Sequence, residues 1–175
     1  MQTGLKKGLV QIYTGNGKGK TTAAFGLALR ASGTGLKVCI YQFAKGRTYG
    51  ETRAFKRVKG VEVVQCGRSC FIGKKPGRAD IECARKGLAD SRSSIMSGRY
   101  DIFVLDEINI ALKLHLIKLA DVIDLIKYKP DSVELVLTGR YCPKGLYKYA
   151  DLVTEMKEVK HPYRLGMSAR KGIEF

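Results

Sequence analysis

Apolar residues along this chain come in two rhythms. Some gather in short β-type runs: Gly8 to Tyr13, Lys37 to Phe43, Val61 to Cys66, Asp101 to Leu105, Val133 to Leu137 and Asp151 to Met156. Runs of this length, rich in Val, Ile and Tyr, read as strands. Between them lie stretches with helical spacing: Thr21 to Ser32, a short helix ending at Val58, Asp80 to Ser97, two segments between Ile108 and Lys129, and Lys144 to Ala150. In the second of those two segments Leu119, Val122, Ile123 and Ile126 fall on one helical face. Gly33 and Gly35 stop the first helix and Pro130 stops the last long one. Strands alternating with helices predict a single α/β domain, with a mainly parallel central sheet flanked by helices. Two loops, Lys45 to Glu51 and Gly67 to Gly77, interrupt the pattern, and a basic tail from Val159 to Phe175 is expected to fold onto the domain.

With 175 residues, 45% of them hydrophobic, the chain is long enough for one domain with a substantial core. No stretch approaches the ~20 apolar residues of a membrane span. The first residues lack the apolar core of a secretion signal, so a cytoplasmic location is expected and no membrane partner. Five cysteines, Cys39, Cys66, Cys70, Cys83 and Cys142, form no tight framework and read as free thiols. Cys66 and Cys70 have no second Cys or His pair nearby to complete a zinc site. The formal charge of +16, from 32 basic and 16 acidic residues, suits an anionic nucleotide, a nucleic acid or an acidic protein.

The run Thr14-Gly15-Asn16-Gly17-Lys18-Gly19-Lys20-Thr21-Thr22 joins the first strand to the first helix. Strand, Gly-rich loop, Gly-Lys-Thr and helix make a phosphate-binding loop, here a variant with Thr14 where the usual pattern has glycine. Small residues let backbone N–H groups turn toward phosphate oxygens at a positively polarised helix end. Lys20 supplies a full charge and Thr21 a hydroxyl for Mg²⁺. Asp106 and Glu107 follow a buried strand and would lie at its carboxyl end, where open parallel sheets bind ligands. A carboxylate there can hold Mg²⁺ or take a proton; the plainer reading is two acids capping the next helix. Thr138-Gly139-Arg140 ends a neighbouring strand, and the Arg140 fork matches phosphate oxygens.

These residues together resemble the P-loop corrinoid (cob(I)alamin or cob(I)yrinic acid a,c-diamide) adenosyltransferases. The matching pieces, besides the loop, are Gln42-Phe43-Ala44-Lys45-Gly46 with Gly50-Glu51, Val104-Leu105-Asp106-Glu107, Leu137-Thr138-Gly139-Arg140, Ala150-Asp151-Leu152-Val153-Thr154-Glu155, Val159-Lys160-His161-Pro162-Tyr163 and Ala169-Arg170-Lys171-Gly172-Ile173-Glu174-Phe175. They span nearly the whole chain. The resemblance implies a RecA-like P-loop domain, commonly a homodimer, in which cobalt(I) of a reduced corrinoid attacks C5′ of ATP and triphosphate leaves. It also implies that ATP lies reversed in the loop relative to ordinary ATPases. Carried over, Gly15, Asn16, Gly17, Lys18, Gly19, Lys20, Thr21 and Thr22 bind ATP with Arg140. Thr21 and Glu107 face the metal, with Asp106 beside them, and Lys20, Glu107 and Asp106 form the catalytic set. The Ser69-Cys70-Phe71-Ile72 region corresponds to a segment whose aromatic residues displace the lower cobalt ligand. The chain has no Trp, and Phe71 is the aromatic residue of that loop.

The acceptor, complete cobalamin or a biosynthetic precursor, stays open. The charge suits an acidic flavoprotein electron donor. Two alternatives remain from the residues alone. A nucleic-acid-stimulated ATPase accords with the charge, but no nucleic-acid motif accompanies it, so nucleic acid is not expected as a partner. A small-molecule kinase would need an acid beside an acceptor hydroxyl, a role Glu107 could fill.

Overall fold

The computed structural model describes residues 4–44, 50–66 and 76–174. Most of the expected Lys45 to Glu51 loop and of the Gly67 to Gly77 segment, including Ser69, Cys70, Phe71 and Ile72, lies outside the described residues. The strands are β1 (Val10–Thr14), β2 (Val38–Phe43), β3 (Val61–Cys66), β4 (Ile102–Asp106), β5 (Glu134–Thr138) and β6 (Leu152–Glu155). The helices are α1 (Lys20–Gly33), α2 (Gly50–Phe55), α3 (Arg78–Met96), α4 (Ile108–Lys113) and α5 (Leu119–Tyr128). The helix expected over Lys144 to Ala150 is a 3-10 helix, Lys144–Tyr149, and a second one, Pro162–Leu165, lies in the tail.

The sheet order is β3-β2-β4-β5-β1-β6, and every adjacent pair is parallel. The apolar runs of the inner strands β2, β4 and β5 have a direct cause: both faces of the sheet are covered there, so both sets of alternating side chains are buried. In β4, Ile102 and Val104 face α1, while Phe103 and Leu105 face the layer of α3, α4 and α5. In β2, Val38 and Ile40 face the first layer, and Cys39, Tyr41 and Phe43 the second. Phe103 is fully buried between Tyr41 and Tyr100. A side chain of this size contributes about 1.5–3 kcal/mol by leaving water.

α1 covers its sheet face with Ala24, Phe25, Ala28 and Ala31. It ends as its glycines predict. Gly35, at a φ of +85°, donates its N–H to Ser32 O, and Leu36 N–H reaches back to Ala31 O. This pair of bonds satisfies carbonyls that the helix end would otherwise leave open.

Register brings chemistry to one edge. Tyr13 pairs with Thr138, Leu105 with Leu137, and Gln42 with Asp106. The ends of β1, β5, β4 and β2 therefore lie side by side where α1 begins, with β5 inserted between the loop-bearing β1 and β4. One expectation changes at the tail, while β6, at the sheet edge, is exposed along its length. The tail from residue 159 to 174 is exposed almost throughout and touches the domain only locally, so it does not cover a core face.

Candidate active site

The loop from Thr14 to Lys20 is shaped from two sides. Gly15 has a φ of +93°, and a Cβ there would lie 2.4 Å from Met156 O; at Gly17 it would lie 2.6 Å from Lys157 O. These glycines admit the chain leaving β6. Gly17 N–H donates to Met156 O at 2.7 Å, and Met156 N–H donates to Thr14 O at 2.8 Å. The Gly17 amide thus serves the loop's own support. The first-turn amides of α1, which have no acceptor within their helix, are the donors placed for an anion.

Lys20 is only 8% exposed. Its Nζ donates to Gly15 O at 2.8 Å and to Gly17 O at 2.6 Å, arching under the loop. Burial pushes its pKa below the ordinary lysine value; the Glu107 carboxylate opposes that shift and Arg140 adds to it.

Asp106 and Glu107 are adjacent but serve different places. Asp106 is fully buried, and its Oδ1 accepts the Thr21 hydroxyl at 2.9 Å and the Thr138 hydroxyl at 2.7 Å. Its Oδ2 accepts from Gln42 Nε2 at 3.2 Å. Glu107 has a φ of +61°, uncommon for a residue with a side chain, and precedes the first turn of α4. Its N–H donates to Thr138 Oγ1 at 3.0 Å, and its side chain lines an open cleft. The left-handed turn separates an inward acid that orients hydroxyls from an acid whose side chain lines the cleft.

The cleft has a volume of about 830 Å³. One wall is polar: residues 16 to 22 with Glu107 and Arg140. The other is apolar, with Phe25 and Leu29 of α1 and Phe55 of α2. Phe25 and Phe55 meet edge to face at 5.0 Å and brace that wall. Arg140 lies 5.4 Å over the ring of Tyr141, a residue at a φ of +62° that turns the chain at the cleft rim. The tail closes the third side with His161, Ile173 and Glu174. Lys18 Nζ bonds Ile173 O and Glu174 Oε1, both at 3.0 Å. Arg170 and Lys18 together hold the Glu174 carboxyl down to about 2.

The structure thus gathers Asn16, Gly17, Lys18, Gly19, Lys20, Thr21, Thr22, Glu107 and Arg140 around one cleft. Gly15 lies behind it as an acceptor for Lys20, and Asp106 lies beneath it. Phe71 is outside the described residues. Sequence reasoning missed the Thr138 hydroxyl, the polar pair Gln42 and Thr52, and the apolar wall of α1. For Gln42 a signal existed: an amide inside an apolar strand run needs a buried partner.

A phosphate loop between β1 and α1, with Thr21 hydrogen-bonded to an acid at the end of β4, defines a P-loop nucleotide-binding domain of RecA-like α/β fold. A KaiC-like protein from Pyrococcus horikoshii OT3 shares this fold, at a TM-score of 0.56 and 14% identity over 88% of this chain and 74% of that one. The model of the family described as ATP:corrinoid adenosyltransferase BtuR/CobO/CobP matches residues 6–175, and the chain belongs to that family. Corrinoid adenosyltransferases similar to it are known from Sinorhizobium sp. (38% identical, over 97% of this chain and 81% of that one) and Pseudomonas aeruginosa (36%, 97% and 85%). The Escherichia coli K12 relative is 31% identical, over 97% of this chain and 87% of its own. The protein is accordingly a transferase that moves the adenosyl group of ATP to a corrinoid.

Proposed function

We propose that the cleft over the loop is where ATP and the reduced corrinoid meet. Cobalt(I) attacks C5′, the Co–C bond forms as the C5′–O bond breaks, and triphosphate leaves with the electron pair while cobalt becomes cobalt(III). The nucleophile is the corrinoid itself, so the protein's task is orientation and charge neutralisation. The observation that carries this reading is the two-sided cleft. Lys20, the α1 amides and Arg140 converge at its polar wall, and Phe25, Leu29 and Phe55 offer an apolar surface opposite. Lys20 and Arg140 stabilise the negative charge that grows on the leaving oxygen. Lys18, tied to the tail, supplies a further positive charge at the rim.

The donor set fits Mg²⁺. Thr21, whose hydroxyl donates to Asp106, and Glu107 both line the cleft and bring oxygen ligands to it. Mg²⁺ favours such sparse protein ligation completed by phosphates and waters. When bound it would neutralise charge on the triphosphate. Asp106 keeps the hydroxyl in place.

We further propose a cytoplasmic homodimer served by an acidic flavoprotein reductant. Free Cys39, Cys66, Cys83 and Cys142 accord with a reducing compartment. Exposed Val159, Tyr163 and Leu165 on the tail support a second copy, and the +16 charge supports an acidic donor.

The test is an anaerobic assay with ATP, Mg²⁺ and chemically reduced cob(I)alamin, repeated with a corrinoid precursor, following the corrinoid spectrum and the phosphate product. Light-sensitive adenosylcorrinoid and triphosphate in equal amounts are expected. Lys20→Ala should lower the rate about a hundredfold or more, the scale of losing one preorganised charge. ADP formation without adenosylcorrinoid would return the kinase reading.

A further inference from the structure

A chain of buried polar groups runs from α2 to the Thr21 hydroxyl. Thr52, on α2, is 6% exposed, and its Oγ1 donates to Gln42 Oε1 at 3.2 Å. Gln42, on β2, is fully buried, and its Nε2 donates to Asp106 Oδ2 at 3.2 Å. The other oxygen of Asp106 accepts from Thr21 and Thr138. Helical threonines commonly bond a carbonyl of their own preceding turn; this hydroxyl is instead spent on a side chain of the sheet.

The order of donors matters. An amide presents a carbonyl at one end and N–H groups at the other, and the two ends interchange by a half turn. A hydroxyl donating to Oε1 selects the orientation in which Nε2 faces Asp106. With that donor removed, the amide can turn its oxygen toward the carboxylate, a repulsive contact in a buried setting. The carboxylate plane would then lose one of its anchors, and the Thr21 hydroxyl would lose its fixed acceptor.

We propose that Gln42 and Thr52 are positioning residues for the divalent cation: Thr52 orients the Gln42 amide, the amide fixes Asp106, and Asp106 holds the Thr21 hydroxyl at the cleft. This rests on the reading that Thr21 and Glu107 take Mg²⁺ with ATP. Thr52 sits on α2 between Glu51 and Phe55, which line the cleft. Gln42 and Thr52 are not among the residues that line the cleft, so neither touches the cation directly.

The experiment measures ATP binding to the full chain by titration calorimetry, once across Mg²⁺ concentrations and once in a chelator. Wild type, Thr52→Val, Thr52→Ser and Gln42→Leu are compared. Thr52→Val and Gln42→Leu should raise the half-saturating Mg²⁺ concentration about tenfold or more, as loss of partners behind metal ligands does. Affinity for ATP in the chelator should stay unchanged, and Thr52→Ser, which restores the hydroxyl, should restore the wild-type Mg²⁺ response. An unchanged Mg²⁺ response in Thr52→Val overturns the proposal. So does a parallel loss with and without Mg²⁺, which would show a packing defect, or a failure of Thr52→Ser to rescue. If Thr52→Val does not fold, Thr52→Ala and Gln42→Asn carry the same comparison. A wild type indifferent to Mg²⁺ sinks the cation reading and the proposal together; a Mg²⁺-dependent wild type with indifferent variants sinks the positioning role alone.

Discussion

Cys39, Cys66 and Cys142 lie in the core layer beneath α3, α4 and α5, and burial pushes each thiol up to about 12. At pH 8 all three are held in the thiol form, while attack on a disulfide reagent needs the thiolate. A colorimetric disulfide reagent at pH 8 should therefore leave these three unmodified in the native protein and label them once guanidinium unfolds it. Mass mapping that found any of them labelled early would contradict the burial. The same scale shows how the site was legible. Lys20, Thr21, Asp106 and Glu107 sit in spacings that chemistry constrains, so the sequence exposes them. It could not show that Asp106 and Glu107 part company, because that depends on the left-handed turn at Glu107. Nor could it show Thr52 meeting Gln42, since that contact needs β2 and α2 already in place.

Most elements were legible because the inner strands β2, β4 and β5 are buried on both faces and the helices on one, so the two periods do not blur. β3 falls at the expected residues, the other strands shift by one or two at their ends, and α2 stops at Phe55, short of the expected Val58. What the pattern could not give is how closely elements approach. Gly87, in α3, is such a point: a Cβ there would lie 2.5 Å from Cys66 Cβ and 2.7 Å from its Sγ. Ala is the better helix former by about 1 kcal/mol, which alone predicts that Gly87→Ala stabilises. Overpacking a close contact costs about 1–3 kcal/mol, and here it should win. Gly26, in α1, has nothing within 4 Å of the same added atom. Gly26→Ala should then stabilise by up to about 1 kcal/mol. Urea unfolding of both variants checks the pair: destabilisation at Gly87 and a gain at Gly26 are expected. A gain at both would mean that α3 sits farther from β3 than its backbone indicates.

Across the whole molecule, an excess of 16 positive charges is more than the phosphate site needs. The ionised groups gathered at the cleft partly cancel: Lys18 pairs with Glu174, which Arg170 also engages, and Glu107 faces Lys20. Most of the excess therefore acts at a distance, as a field on whatever approaches. A field of that sign speeds encounter with an acidic donor, and salt weakens it as the Debye length falls from ~30 Å at 0.01 M to ~8 Å at 0.15 M. Two assays separate encounter from chemistry. With saturating ATP and chemically reduced corrinoid, no protein donor has to dock, so added salt should change the rate little. With an acidic flavoprotein supplying electrons, the rate should fall steeply over the same salt range, and the ratio of the two rates isolates the docking step. A ratio independent of salt would detach the charge from electron delivery. If salt-sensitive binding of RNA or DNA were then found, the charge would belong to a nucleic-acid contact separate from the adenosyl transfer.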